Sequence, residues 1–198
     1  MDIRSRENFL IHVMNTGFER AAHAFSKFIN KPVQIVNART LLVRHDDDFS
    51  YISEEQGDLL ILVTQIIGDI SGKSYLIFNK EESQEIFNAL HTSVTNKALH
   101  EAFLLEIDNI ISASVIAELS NALSLEIYGD VPHLVRLHAK DLNDYLAGET
   151  NHEVPSSMIF CNTTFKFAKN ERVHPQFVWK LSSKVFELMP VTVPGLTA

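Results

Sequence analysis

Glu106 and Asn109 lie three residues apart near the middle of FLLEIDNIISASVIAELSNAL, a mostly apolar run over residues 103–123. Such a run predicts a helix with most of its surface buried. At 100° per residue, one narrow strip of this helix carries both polar side chains, and their neighbours on the strip are small. The strip consists of Ala102, Glu106, Asn109, Ala113, Ala117 and Ser120. A carboxylate and an amide bordered by alanine and serine predict a surface that another molecule can approach closely.

The alternative interpretation of this strip is the solvated face of an amphipathic helix, which is the ordinary meaning of a lone E-x-x-N pair. An ordinary exposed strip of this chain should, however, be rich in lysine and glutamate. A proline, Pro132, also follows Asn109 after 22 intervening residues. Glu, Asn and Pro at these spacings would coincide by chance in about one chain in fifty. The spacing therefore favours a functional interpretation.

The elements that must position the strip are predicted to be two long helices and a set of short strands. Residues 7–30 predict an amphipathic helix that ends near Pro32, because proline cannot continue a helix. The second long helix is predicted over about residues 97–124. Strands are predicted at PVQIV, TLLV, LLILVTQIIG, SYLIF, LSLEIYG, MIFCNTTFKFA and PQFVWKLS, and VRLHA is typical of either a strand or a helix. Shorter helices are predicted at KEESQEIFNALHTSV and SKVFELM, and a solvated loop at DDDF.

The two long helices align with each other when Phe9 is set against Phe103, an offset of 94 residues. Both then lead into a strand of similar character. The aligned pairs include Leu10 with Leu104, Val13 with Ile107, Asn15 with Asn109, Ser26 with Ser120, Ile29 with Leu123 and Val33 with Ile127. The sequence therefore predicts a single domain over residues 1–198, built of two helix-then-strands repeats at about 1–95 and 96–198.

Composition excludes several classes of function. The formal net charge of -8 disfavours nucleic acid and anionic membranes as partners, because both are polyanions. A single cysteine, Cys161, permits no internal disulfide and predicts a buried, inert thiol in a strand. The first residues do not resemble a signal peptide, and the longest apolar stretch is too short to span a bilayer. We therefore expect a cytoplasmic protein.

Other motifs are weaker. GDISGKS, residues 68–74, has three residues between its glycines where a phosphate-binding loop needs four, and a strand rather than a helix is predicted to follow. It therefore predicts a hairpin turn. The nine histidines show no convincing spacing for metal ligands, so no metal site is predicted.

The E-x-x-N pair followed by 22 residues and a proline resembles the signature of the CheC, CheX and FliY phosphatases of bacterial chemotaxis. Length and duplication are most similar to CheC. The resemblance covers nearly the whole chain, since NTGFERAAHAFSKFINKPVQI is similar to the first motif helix of the family and the strand after it. It implies an α+β fold with a pseudo-twofold duplication, in which two long surface helices lie on a central β-sheet.

The resemblance implies a hydrolase that removes phosphate from the phospho-aspartate of a CheY-like response regulator. Asn109 would orient the attacking water, and Glu106 would pair with the active-site lysine of the regulator. The chain would need no cofactor of its own, because the regulator brings Mg²⁺. The implied partners are the phosphorylated receiver and, as a further candidate, the deamidase CheD; the oligomeric state stays open, a homodimer included.

The first repeat departs from the signature. Its glutamate position is His12 and its proline position is Ala38, so that Asn15 alone survives, on a strip with bulkier and more charged neighbours. We therefore expect this first site to be degenerate, although a protonated His12 is able to pair with a partner carboxylate at mildly acidic pH. In the second repeat, Ala102 stands where the family often has Asp or Ser.

Two other functions are open at this point. The fold could act as an adaptor that binds a phosphorylated receiver or CheD without turnover. It could also be a structural part of a flagellar switch, although FliY-type proteins carry extra switch domains for which 198 residues leave no room.

Overall fold

The computed structural model describes residues 3–43, 57–90, 97–148, 156–167 and 172–189, which form helices and one antiparallel β-sheet. The helices are α1 (Ile3–Ile29), α2 (Lys80–Leu90), α3 (Lys97–Leu123), α4 (Leu142–Gly148) and α5 (Lys184–Leu188). The strands are β1 (Val33–Val43), β2 (Asp58–Gly68), β3 (Gly72–Asn79), β4 (Ile127–Gly129), β5 (His133–His138), β6 (Ser156–Phe167), β7 (Arg172–Val173) and β8 (Gln176–Ser182).

The duplication is visible in the two long helices. Helices α1 and α3 have 27 residues each, and both ends differ by the same offset of 94 that aligns the sequences. Each helix is followed by a residue with positive φ, Asn30 at 54° and Ser124 at 53°, which is a common way to end a helix. Ser26 Oγ accepts a hydrogen bond from the Val33 N–H, and Ser120 Oγ donates one to the Leu125 carbonyl. Equivalent serines thus tie each helix to the segment that follows it.

The sheet has a pseudo-twofold arrangement of strands. Its order is β1-β6-β8-β3-β2-β4, with β5 pairing beside β4 on β2 and β7 pairing on β6. The last strand of the first repeat, β3, pairs with the last strand of the second, β8, at the centre of the sheet. The first strand of each repeat pairs with the second strand of the other, since β1 lies on β6 while β4 and β5 lie on β2. Each repeat therefore completes the sheet of the other, and the expected α+β fold is confirmed.

Both edge strands are interrupted at the same place. The sequence predicted two short strands at PVQIV and TLLV, but β1 is one strand with a register shift between Asn37 and Arg39, at Ala38. The equivalent position in the second repeat is Pro132, which separates β4 from β5 and directly precedes His133, the first residue of β5. Proline has no N–H to donate to a ladder, so it falls naturally where pairing is broken.

The bounds of the strands and short helices decide several smaller predictions. The segment after GDISGKS enters β3, a strand, so the hairpin turn is confirmed over the phosphate-binding loop. VRLHA lies in β5 and its 3-10 continuation, which resolves the choice between strand and helix. Helix α4 was not predicted, because only two of its side chains, Leu142 and Leu146, are buried. The DDDF loop and the last residues of the predicted KEESQEIFNALHTSV helix lie outside the described residues.

The long helices pack on one face of the sheet and against each other. Gly17 of α1 lies against Val115 of α3, whereas Phe28 stacks on Phe103 with ring centroids 5.4 Å apart, so the helices run antiparallel. The buried sides of both helices join one apolar core with the sheet, and a smaller core lies under α4 on the opposite face. The expected surface helices on a central sheet are therefore confirmed.

Gly17→Ala tests the close helix crossing. A Cβ at this position would lie 2.9 Å from the Cα of Val115, and backbone cannot give way as a flexible side chain can. Alanine ordinarily stabilises a helix relative to glycine by about 1 kcal/mol. We expect the clash to outweigh this gain, so that Gly17→Ala lowers the unfolding free energy by about 1–2 kcal/mol in urea titrations. Gly148→Ala is the matched control, because no atom lies within 4 Å of its Cβ. Equal effects of the two substitutions would contradict the tight crossing.

Candidate functional site

The strip that carries Glu106 and Asn109 faces outward in the structure. Asn109 and the strip's alanines are exposed, while Glu106 and Ser120 are half-buried. The opposite side of α3 is fully buried against the sheet and α1; it consists of Leu104, Ile107, Ile111, Val115 and Leu119. The apolar sequence of this helix is therefore explained by its burial on most of its circumference, and the strip is what remains for another molecule.

Neither polar side chain of the strip is engaged. Glu106 and Asn109 have no hydrogen-bond or ion-pair partner among the residues that the structure describes. Their Cα atoms are separated by about 4.5 Å along the helix axis, so both can touch one small region of a partner surface. The strip therefore presents a carboxylate acceptor and an amide, which can both donate and accept, with only small side chains beside them.

A buried polar cluster holds the helix from beneath. Asp108, the residue before Asn109, is fully buried and points toward the sheet. Thr64 of β2 donates to its Oδ2 at 2.7 Å, and Ser112 donates to its Oδ1 at 3.1 Å. Ser74 of β3 lies 3.1 Å from the Ser112 hydroxyl. The cluster thus joins α3 to two neighbouring strands directly below the exposed pair.

Burial raises the pKa of Asp108 to about 6, and the hydrogen bonds from Thr64 and Ser112 oppose that rise only in part. The charged form of a carboxylate is disfavoured where water is excluded, and no charged group contributes to this shift. Sequence reasoning missed this residue. Its signal was an aspartate on the face that also carries Leu104, Ile111 and Val115, where a charged side chain requires partners.

The first repeat presents its asparagine differently. Asn15 and His12 are both exposed on α1. Asn37 of β1, however, donates from Nδ2 to Asn15 Oδ1 at 3.0 Å, and also to Thr40 Oγ1 at 2.7 Å. The amide oxygen of Asn15 is therefore occupied, unlike that of Asn109. No local pattern predicts this pairing, because it joins a helix and a strand 22 residues apart.

A concave site exists elsewhere on the molecule. A cavity of about 840 Å³ lies between α2, the start of α3 and the end of β5. His100, Glu101 and Arg136 line it, and the last two form an ion pair at 2.7 Å. None of the predicted site residues, Glu106, Asn109, His12 or Asn15, is among the residues that line the cavity. The strip on α3 therefore lies outside this cavity, on the surface of a helix.

Other chemistry finds little support in the described part of the chain. Within it, no three His, Cys, Asp or Glu side chains are placed to hold a metal ion. Cys161 is buried in β6, as predicted, and burial raises the pKa of its thiol, which disfavours the reactive thiolate. No described helix combines the length and apolar character required to cross a membrane.

Comparisons with known proteins identify the fold. No family model and no curated protein matches the sequence. The structure of FliY from Thermotoga maritima matches with a TM-score of 0.71 at 13% identity, over 95% of this chain and 96% of that one. A CheX chemotaxis protein from Desulfovibrio desulfuricans matches with a TM-score of 0.52 at 15% identity, over 86% and 97%.

The FliM middle domain from Vibrio alginolyticus also matches, with a TM-score of 0.58 at 8% identity, over 90% of this chain and 96% of that one. The chain therefore has the fold of the CheC, CheX and FliY proteins, and the FliM middle domain shares it. The expected resemblance is confirmed at this level, while the greater similarity to CheC stays a prediction.

Asp108→Asn tests the buried cluster through pH. The folded state binds a proton at Asp108 more tightly than the unfolded chain does, so this carboxyl's contribution to stability is fully present below pH 4 and is lost as pH rises to about 6. Relative to Asp108→Asn, the wild type should therefore gain about 2 kcal/mol of unfolding free energy between pH 7 and pH 4 in urea titrations.

Asp144→Asn, at an exposed position, is the matched control, and we expect its effect to stay within about 0.5 kcal/mol at both pH values. A difference between wild type and Asp108→Asn that does not change with pH would show that Asp108 is not a buried, desolvated carboxyl.

Proposed function

We propose that this protein is a one-site phosphatase that hydrolyses the phospho-aspartate of a CheY-like response regulator in chemotaxis signalling. The observation that carries the proposal is the pair on α3 formed by the half-buried Glu106 and the exposed Asn109, neither of which has a side-chain partner among the described residues. The likeness of the fold to FliY from Thermotoga maritima and to a CheX chemotaxis protein supports it.

The chemistry requires little from the protein. An aspartyl phosphate is an activated acyl phosphate, and its hydrolysis passes through a loose transition state in which a strong base contributes little. Holding one water in line with the phosphorus supplies much of the rate gain. The Asn109 amide is suited to this role because it is neutral and is not repelled by phosphate, whereas a carboxylate would be. Its Oδ1 would accept a hydrogen bond from the water.

Glu106 has a different role in the proposal. Its negative charge would be unfavourable against the phosphate itself. One helical turn away from Asn109, it can instead form an ion pair with the active-site lysine of the receiver, and so anchor the docked helix. The exposed alanines on either side, Ala102 and Ala113, allow the receiver surface to approach without displacing a long side chain.

The first repeat is proposed to be degenerate. His12 replaces the carboxylate that would anchor a receiver, and the amide oxygen of Asn15 already accepts from Asn37. The exposed Glu19 and His23 add bulk and charge to the strip where the second repeat has Ala113 and Ala117. The receiver would supply its own Mg²⁺, so the reaction requires no metal bound by this chain.

A non-catalytic adaptor is the second candidate function. It is favoured by the likeness to FliM, which includes a FliG-FliM complex from H. pylori that matches with a TM-score of 0.60 at 8% identity. As an adaptor, the same strip would bind a phosphorylated receiver or the deamidase CheD without turnover. Assembly as a homodimer is open in either case.

Asn109→Ala separates these functions. We expect wild type to accelerate loss of phosphate from a phosphorylated CheY-type receiver of the same organism, and Asn109→Ala to lower that acceleration by about 100-fold, since the oriented water is lost. Asn15→Ala is the matched control and should retain full activity. If wild type, Asn109→Ala and Asn15→Ala all fail to accelerate phosphate loss but all bind the phosphorylated receiver, the protein is an adaptor.

Glu106→Gln tests the anchoring role. Removing the charge should weaken binding of the phosphorylated receiver about 5- to 100-fold, because a cationic group at the interface would lose its partner. Binding is measured by titration of a labelled receiver, and Glu85→Gln on α2 is the control for loss of an exposed charge elsewhere. Unchanged affinity for Glu106→Gln alongside full activity would rule out the anchor.

A further inference from the structure

The two repeats allow the surroundings of Asn15 and Asn109 to be compared position by position. The helices have identical length, their ends coincide at the offset of 94, and the following edge strands are interrupted at the equivalent Ala38 and Pro132. The residue before each interruption is Asn37 in the first repeat and Val131 in the second. These are therefore equivalent positions beside equivalent helices.

The equivalent residues differ in what they offer to the asparagine. Asn37 donates to Asn15 Oδ1 at 3.0 Å, which leaves that amide oxygen engaged. Valine has no polar side-chain atom and can make no such bond. Val131 is also 82% exposed, the largest fraction among the exposed large apolar side chains of the described residues. Val131 therefore faces solvent at the position where the first repeat places the partner of its asparagine.

The backbone at Val131 is held by its own turn. The Val131 N–H donates to Asp130 Oδ1 at 2.7 Å, and the Asp130 N–H donates to the Gln65 carbonyl of β2 at 2.8 Å. The valine side chain contributes to neither bond. Its chemistry can therefore be changed without removing a contact that shapes the turn.

We propose that Val131 is a positioning residue that keeps the Asn109 amide free. An amide donor at this position would bond to Asn109 Oδ1 as Asn37 bonds to Asn15 Oδ1, and that bond would take one of the two lone pairs of the oxygen and hold the amide turned away from the water. The side chain at this one position thus determines which of the two repeats has an open amide. The role of Val131 in activity rests on the proposed function. The hydrogen bond predicted in Val131→Asn does not, and it can be tested without measuring turnover.

The first experiment compares Val131→Asn with Val131→Ala in the phosphate-release assay, over a range of protein concentrations. The amide variant should lower the maximal rate at least about tenfold and leave the half-saturating concentration unchanged, since the water and not the docking is lost. The alanine variant should keep at least about half of the wild-type rate. Full activity of Val131→Asn, or an equal loss with Val131→Ala, would overturn the proposal.

The second experiment reads the pairing directly by NMR of the side-chain amides. In Val131→Asn, the introduced amide resonances should shift when Asn109→Ala is added, as those of Asn37 should shift in Asn15→Ala. Introduced resonances that do not respond to Asn109→Ala would overturn the inference even if the phosphatase assay succeeds. Inactivity of the wild type would instead count against the proposed function, and the spectra would still decide the pairing.

Discussion

The rotation of α3 about its own axis is the constraint on which the rest of the structure depends. Asp108 and Asn109 are adjacent and point about 100° apart around the helix, so the rotation of α3 sets the exposure of both. Thr64 of β2 bonds to Asp108, and Ser74 of β3 lies 3.1 Å from the Ser112 hydroxyl, so these two contacts hold one face of α3 against the sheet. Burial makes the charged carboxylate unfavourable, as its raised pKa records. The carboxyl therefore contributes less to stability at neutral pH than at acidic pH, while the hydrogen bonds of the cluster orient α3 on the sheet.

The duplicated frame explains why two similar helices need not share one activity. Helix length, the left-handed ends at Asn30 and Ser124, and the exchange of edge strands are common to both repeats. Side chains at equivalent positions differ: the position of Asp108 holds Met14 in the first repeat, which is fully buried among apolar neighbours. The same backbone arrangement therefore carries Asn15, whose amide oxygen accepts a hydrogen bond, in one repeat and Asn109, whose amide oxygen accepts none from the described residues, in the other. Under the proposed function, that contrast distinguishes a receiver site from a remnant of one.

The sequence predicted the long helices, most strands and the exposed strip, because each depends on local periodicity or on the repeat. A solvent-facing Glu106 and Asn109 follow from the 3.6-residue period alone. The prediction of two strands where β1 runs through Ala38 was wrong, since a bulge looks like a break in the local pattern. The pairs Asp108 with Thr64, Ser112 with Ser74, and Asn15 with Asn37 join different elements of the fold, and no local pattern specifies such pairs. Helix α4 buries too few side chains to leave a periodic signal.

The central claim is that Asn109 acts on the reaction rather than on docking. The most direct measurement is the first-order rate of phosphate loss from a phosphorylated CheY-type receiver, titrated with wild type and with Asn109→Ala until both curves saturate. The account predicts a wild-type plateau well above the spontaneous rate, an Asn109→Ala plateau near it, and similar half-saturating concentrations. Equal plateaus with a higher half-saturating concentration for Asn109→Ala would contradict the account, because Asn109 would then be a contact for binding alone.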